Sequence, residues 1–338
     1  MAGIKAYRKI QLGLESTAGT AVAATALWRG LGVPRDLQKI IFPAEDIGYV
    51  SGVDRAYIPE LGSSLAMEEV EATFEQLPYI LAAGVKDVVT GASDGAGSDK
   101  IYTYPFPTTA VNTIKTYTLE GGDDQQEEEF AYGFVTDFNL SGRGGGELTA
   151  VMLSANWIGR TATASTFTGA IAVPTVEEIL FGKGKLYIDA ATGNVGTTQQ
   201  TSTFLAFNLA VKTGWVPRFT GDGNKYFQRH AHVREAMEVL LNLTFEHDSF
   251  ATAQKTQWRT PGSRLVRMDF DGASVATPGT LFSTKKLRLD LAGKWESFEP
   301  IGEQNGNDII NGVFRARYNA DEALFAEIKV VNELTALT

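Results

Sequence analysis

The three histidines of this 338-residue chain are His230, His232 and His247. On a strand, residues two apart project from the same face, so His230 and His232 could hold one metal ion between their imidazoles. No third ligand follows in sequence, and the pair reads as polar surface with no metal assigned. Cysteine is absent, which excludes disulfides, thiolate metal sites and a cysteine nucleophile. Gly182-Lys183-Gly184 and Gly142-Arg143-Gly144-Gly145-Gly146 have the composition of phosphate-cradling loops. Neither opens a helix after a strand in a βαβ unit, so both read as turns. Glu127-Glu128-Glu129 and Glu68-Glu69-Val70-Glu71 supply many carboxylates. A glycosidase needs two at a defined separation across a cleft, whereas charge runs are ordinarily solvated faces. Gly91-Ala92-Ser93-Asp94-Gly95 spells Gly-x-Ser-x-Gly, but it falls in a Gly- and Ser-rich turn before the strand Ile101–Pro105 rather than at a strand-to-helix elbow. With no Walker loop or His-Glu-x-x-His motif either, the chain reads as a non-enzyme with no catalytic residue and no cofactor.

The more informative residues are polar ones placed by alternation. Ala131–Ser141 and Glu147–Ile158 flank the Gly142–Gly146 turn and predict a hairpin. Period two puts Phe134, Phe138 and Leu140 on one face and Val135, Asp137, Asn139 and Ser141 on the other. Ala236–Phe245 behaves alike: Met237, Val239, Leu241, Leu243 and Phe245 face inward, leaving Glu238, Leu240, Asn242 and Thr244 outward. Each segment therefore belongs to a sheet with one core face and one wet face.

Across the chain, 43% apolar residues suffice for substantial cores, while 35 Gly and many Thr and Val favour short strands and turns. The class is mostly β with minor α. Strands are also expected near Tyr7–Leu14, Ala26–Leu31, Ile101–Pro105 and Thr113–Leu119, then at Gly184–Asp189, Thr203–Lys212, Arg264–Asp271, Lys286–Leu291, Asp308–Tyr318 and Phe325–Val331. A pattern occurs twice. Strand Ser64–Thr73 precedes a short helix over Leu77–Gly84, and strand Ala236–Phe245 precedes a helix over Phe250–Trp258 with Asp248 or Ser249 as cap. This predicts two units, 1–165 and 177–338, joined by a Thr-rich linker over 166–176. Pro34, Pro43 and Pro59 make 34–62 a long loop, and its Ile40, Ile41, Phe42, Tyr49 and Val50 are too apolar for water, so a partner subunit is expected to cover them. Net charge is −10, with 12 basic and 21 acidic residues in 1–173 against 18 and 19 in 174–338. Such a surface disfavours sequence-specific DNA binding. No apolar signal core or membrane span is evident, so a soluble product without membrane insertion is expected.

Several segments together resemble the major tail tube proteins of long, non-contractile-tailed bacteriophages. They are Leu14-Glu15-Ser16-Thr17-Ala18-Gly19-Thr20, the Leu65–Gly84 strand and helix, the Gly133–Gly159 hairpin, Phe181–Asp189, Gly312–Tyr318 and Ile328–Glu333. The resemblance implies β-sandwich units, each flanked by a helix, whose inner sheets join on oligomerisation into a closed β-barrel around a lumen. Six units close a ring, so a two-unit chain would form trimers with pseudo-sixfold symmetry, with hexamers as the alternative. Rings would stack into the virion tail tube, assembled in the host cytoplasm around a tape-measure protein and bounded by tail terminator and tail tip proteins. Genomic DNA would pass without specific binding. Asp137, Asn139, Ser141, Glu238, Asn242 and Thr244 would then line the lumen at related positions, with few Lys or Arg, and Ile40, Ile41, Phe42, Tyr49 and Val50 would pack on the adjacent ring. Two other readings remain: a carbohydrate-binding or hydrolysing β-sandwich using Trp215, Trp258 and Trp295 as exposed aromatics, and another virion ring or decoration protein.

Overall fold

Alternation and turn chemistry produce a chain dominated by strands. In the computed structural model, which describes residues 3–145 and 150–338, the first part runs β1 (Lys9–Leu14), β2 (Ala26–Trp28), β3 (Pro34–Asp36), β4 (Ser63–Glu71), α1 (Leu77–Gly84), β5 (Ala92–Ser93), β6 (Lys100–Pro105), β7 (Tyr117–Gly122), β8 (Glu127–Arg143), β9 (Met152–Gly159) and β10 (Thr163–Ser165). The second runs β11 (Gly184–Ala190), β12 (Gln199–Gln200), β13 (Phe204–Arg218), β14 (Arg229–Glu246), α2 (Ser249–Arg259), β15 (Ser263–Ser274), β16 (Thr284–Phe298), β17 (Gly302–Gln304), β18 (Asn307–Ala316) and β19 (Ala326–Asn332). The expected strand start at Glu147 and the turn residue Gly146 lie outside the described residues. Helix α1 has Pro78 in its first turn, where a missing N–H costs nothing, and all eight of its residues are buried. Helix α2 is capped by Asp248, whose carboxylate accepts the Ala251 N–H at 2.8 Å.

The two parts share one strand topology. In the first, β2–β1–β7–β8 pair in that order and β10 joins the N-terminal half of β8. The C-terminal half of β8 pairs with β9, followed by β4 and β3. In the second, β12–β11–β15–β16 pair likewise and β19 joins the N-terminal half of β16. The C-terminal half of β16 pairs with β18, followed by β14 and β13. A helix follows β4 and β14 alike, and β8 and β16 each run through both layers of their repeat. The additions are β5 and β6 in the first repeat, while β17 continues the β16 side of the hairpin with β18, as the end of β8 does with β9.

Hydrogen bonds fuse the repeats. Strand β13 pairs antiparallel with β8, Lys212 opposite Asp137 through Ala206 opposite Arg143, and β6 crosses to pair with β19. The order β3–β4–β9–β8–β13–β14–β18–β16 is thus one uninterrupted sheet, and every strand pairing described is antiparallel. It does not close into a barrel within one chain. One apolar core spans both repeats, from Ile10, Trp157 and Phe138 to Leu209, Phe270 and Phe314. A smaller cluster of Ile114, Tyr132, Phe134, Trp215 and Phe227 lies where they meet.

Two bulges revise the expected faces. The β8–β9 register shifts between Val135 and Asp137, so Thr136 is the extra residue that reverses alternation. Val135 is therefore fully buried in the main core rather than beside Asp137 on the wet face, and Phe134 belongs to the smaller cluster. The β13–β14 register shifts between Thr213 and Trp215, β14 carrying the extra residues between His232 and Met237, and Gly214 opposite them adopts φ +84, a left-handed value that glycine takes without strain.

Candidate functional site

The six expected lumen residues lie on one face of the continuous sheet. Asp137, Asn139 and Ser141 on β8 face Lys212, Ala210 and Asn208 on β13, which in turn face Glu238, Leu240 and Asn242 on β14. The next row runs Ala206, Thr244 and Asn311. Polar neighbours hold them: Asn156 Nδ2 donates to Asp137 at 2.6 Å, Thr136 Oγ1 to Asp137 at 2.9 Å, and Thr244 Oγ1 to Asn311 at 2.8 Å. Asn311 Nδ2 donates to Glu299 at 2.7 Å. A trough of about 590 Å³ runs along this face between Asp137, Asn139, Asn156, Lys212 and Pro217.

Two expectations for this face are corrected. The residues are adjacent but not at related positions, because the repeat counterpart of β8 is β16 and that of β14 is β4. The face also carries cations. Lys212 Nζ donates to Glu238 at 3.0 Å, and Arg315 bonds Glu238 and grips Glu296 at 2.8 and 2.9 Å. Hydrogen bonds donated by Arg315 and Lys212 hold the Glu238 carboxyl below its ordinary range, and those that the Arg315 guanidinium donates to Glu296 and Glu238 hold it above its own. With Arg143 exposed opposite Ala206 in the next row, the face mixes cations with its carboxylates rather than presenting acids alone. The parity of Asn208, Ala210 and Lys212 marks Lys212 as outward in the sequence; Arg315 is found only once β14–β18 pairing is known.

The apolar loop is an extended arm. Its base is tied by the Leu37 N–H to Gly62 O at 2.9 Å and by reciprocal bonds between Ile41 and Tyr57, so it prolongs the β3–β4 hairpin away from the sheet. Phe42 and Tyr49 are 73% and 72% exposed, Ile40 50%, Val50 fully, and Ile41 is half-buried at the bridge. Ile47, Val53 and Tyr57 are exposed on the same arm. Few monomers leave so much contiguous apolar surface in water without a partner for it.

The histidine pair is not polar surface. His230 packs against Tyr132, Phe134 and Trp215, and His232 against Trp215, with both imidazoles 5.0 Å from the indole centroid. His230 Nδ1 and His232 Nε2 are buried without partners, and burial lowers both pKa values. No group of three or more His, Asp or Glu side chains converges among the described residues. The three tryptophans are not exposed aromatics either. Trp215 donates to Gly84 O at 3.0 Å, Trp295 to Gln254 at 3.2 Å and half-buried Trp258 to Glu296 O at 3.0 Å, leaving no platform for a sugar ring.

Glu15, within the Leu14–Thr20 segment, has a role that spacing does not reveal. Its buried carboxylate accepts from Gly19 N at 2.7 Å, Thr116 Oγ1 at 2.6 Å, Thr118 Oγ1 at 3.1 Å and Tyr132 N at 2.8 Å, tying the β1 end to β7 and β8. No helix of the described residues is long and apolar enough to cross a membrane. The chain matches no protein family and no curated protein.

Proposed function

We propose that this chain is a ring-building subunit of a hollow tube, of the kind formed by the tail tube proteins of long-tailed bacteriophages, and that DNA passes through its lumen. The observation that carries the reading is the β8–β13 junction, at which the sheet of one repeat continues into the sheet of the next. A junction that works once between two repeats can recur between copies. The sheet ends at β3 on one side and at the C-terminal end of β16, continued by β17, on the other, the counterparts of the two strands flanking the internal joint. Pairing these ends head to tail makes a heterologous contact that a closed rotation turns into a ring, satisfying otherwise exposed strand edges. Two repeats per chain support three chains in a six-unit ring.

The polar face suits a conduit on this reading. Each exposed cation that meets a phosphate adds salt-dependent affinity, and Lys212 and Arg315 are already occupied by Glu238 and Glu296. Apart from Arg143 at its edge, DNA would meet a surface of paired charges and amides. Native mass spectrometry of the purified chain at low concentration tests the stoichiometry. Three-chain species support the reading, six-chain species support the hexameric alternative, and a monomer that persists on concentration rejects it.

A further inference from the structure

The internal repeat contains a contact made once and left unmade once. The Arg160 N–H, just past β9, donates to Ala131 O at 2.9 Å, and the Arg317 N–H, just past β18, donates to Ala292 O at 2.8 Å. The two arginines therefore occupy equivalent joints. The Arg160 guanidinium donates from Nε to Phe227 O and from Nη2 to Gln228 O, both at 3.1 Å, and lies over the rings of Tyr132 and Tyr226 at 4.6 and 4.8 Å. Tyr226, Phe227 and Gln228 belong to the turn between β13 and β14, whereas Tyr132 is in β8, so the turn of the second repeat is gripped by the arginine of the first. Arg317 has no such grip. Among the described residues its guanidinium makes one hydrogen bond, from Nη1 to the neighbouring Ala316 O at 3.3 Å. Together with Arg234, Met237, Tyr318, Phe325 and Val111 it lines a pocket of about 520 Å³.

The counterpart of the gripped turn in the first repeat is the exposed arm. Leu240 of β14 pairs with Arg315 and Ser64 of β4 pairs with Ile158, each partner two residues before its arginine. Fourteen residues before Leu240 and Ser64 stand Tyr226 and Val50, respectively. By the same count Phe227 and Gln228 correspond to Ser51 and Gly52, so Val50–Gly52 stand where the repeat places the gripped residues, and all three are exposed beside exposed Tyr49. Exposed Asp46 and Asp54 flank them, opposite in charge to Arg234 and Arg317.

We infer that the Arg317 pocket receives the Val50–Gly52 tip of the arm of a second copy of this chain, with backbone carbonyls of the tip accepting from the guanidinium and the Tyr49 and Val50 side chains filling the space beside Tyr318 and Phe325. The contact rests on the ring-building reading and makes it specific. The arm reaches a neighbour in the same ring, where the sequence alone suggests the adjacent ring. Because β16 would meet β3 of that same neighbour, the arm and the sheet edge act together, each raising the effective concentration of the other.

The absence of cysteine makes the test direct. A Val50→Cys, Tyr318→Cys double variant is assembled under reducing conditions, oxidised, and run on a denaturing non-reducing gel, with each single variant as control. The expected result is covalent oligomers in the double variant only. Separately, Arg317→Ala should raise the concentration at which rings form at least tenfold without changing the melting temperature of the monomer. Assembled particles of normal mass that yield no inter-chain cross-link, or an Arg317→Ala variant that assembles as readily as the parent, would overturn the arm contact and leave the ring reading standing. A double variant that never assembles, alongside a parent that also stays monomeric, would overturn both.

Discussion

Phe227 is the anchor by which the second repeat holds the first, and replacing it with alanine measures how firmly the two are joined. The ring is 1% exposed and stands edge-on to Tyr132 at 5.1 Å and to Phe134 at 5.9 Å. Removing a buried phenylalanine costs about 3–5 kcal/mol, of which each edge-to-face pair supplies about 0.5–1.5 kcal/mol. The turn that carries Phe227 sits at the surface and can settle partly into the space, so Phe227→Ala should cost about 3 kcal/mol, the lower end of that range. Guanidinium unfolding read by tryptophan fluorescence and by far-ultraviolet circular dichroism gives the value, and Trp215 reports from the same cluster. The midpoint should fall with an unchanged denaturant slope, and both probes should coincide. A loss under about 1 kcal/mol, or a separate early transition seen by fluorescence alone, would refute the claim that the junction is part of one cooperative structure.

Three further outcomes are expected. Arg267→Leu leaves Asp290, 5% exposed and otherwise held by Arg267 Nε and Nη2 at 2.6 and 2.7 Å, as a buried unpaired carboxylate, and should destabilise by about 3–5 kcal/mol; adding Asp290→Leu should recover much of this in a double-mutant cycle. Burial lowers the pKa of His230 and His232, so the unfolded chain binds more protons than the folded one below the ordinary imidazole pKa. The stability they permit is present above about pH 6.5 and declines as the pH falls further. Melting temperatures across pH 7.5 to 5 check this, and a His230→Phe, His232→Phe variant should flatten the slope. Asp137→Lys with Glu238→Lys replaces the partners of Asn156, Lys212 and Arg315 with cations, so isolated assemblies should retain duplex DNA at low salt and release it at high salt, whereas the parent retains little at either.

What the sequence discloses follows from what local chemistry can encode. Helix α1 is legible to the residue, because Pro78 and Gly84 punctuate an unbroken apolar run, and Asp248 announces α2. The inward and outward sets of Ala236–Phe245 hold because no bulge interrupts them. Alternation misleads at Val135, where one extra residue changes the face, and at β13 and β14, which run on to Arg218 and back to Arg229 through the Gly214 irregularity. The expected strand at Thr113–Leu119 is instead Tyr117–Gly122, because Glu15 draws the Thr116 and Thr118 hydroxyls inward and Gly121 and Gly122 continue the ladder with β1 and β8. His230 and His232 look polar in sequence and are aromatic packing in space, since Tyr132 and Phe134 of β8 and Trp215 of β13 reach them across strand pairings that local spacing does not reveal. The repeat itself is faint in residue identity and plain in strand pairing, because topology constrains hydrogen-bond partners more tightly than side chains.

Cryo-electron microscopy of the purified, concentrated protein tests the central claim most directly. The account predicts hollow filaments built of stacked rings, each with pseudo-sixfold symmetry from three chains, the C-terminal half of β16 paired with β3 of the next chain and Asp137, Asn139 and Glu238 facing the central channel. Particles without a channel, or a ring whose channel is lined by the opposite sheet while Asp137 and Glu238 face outward, would contradict it.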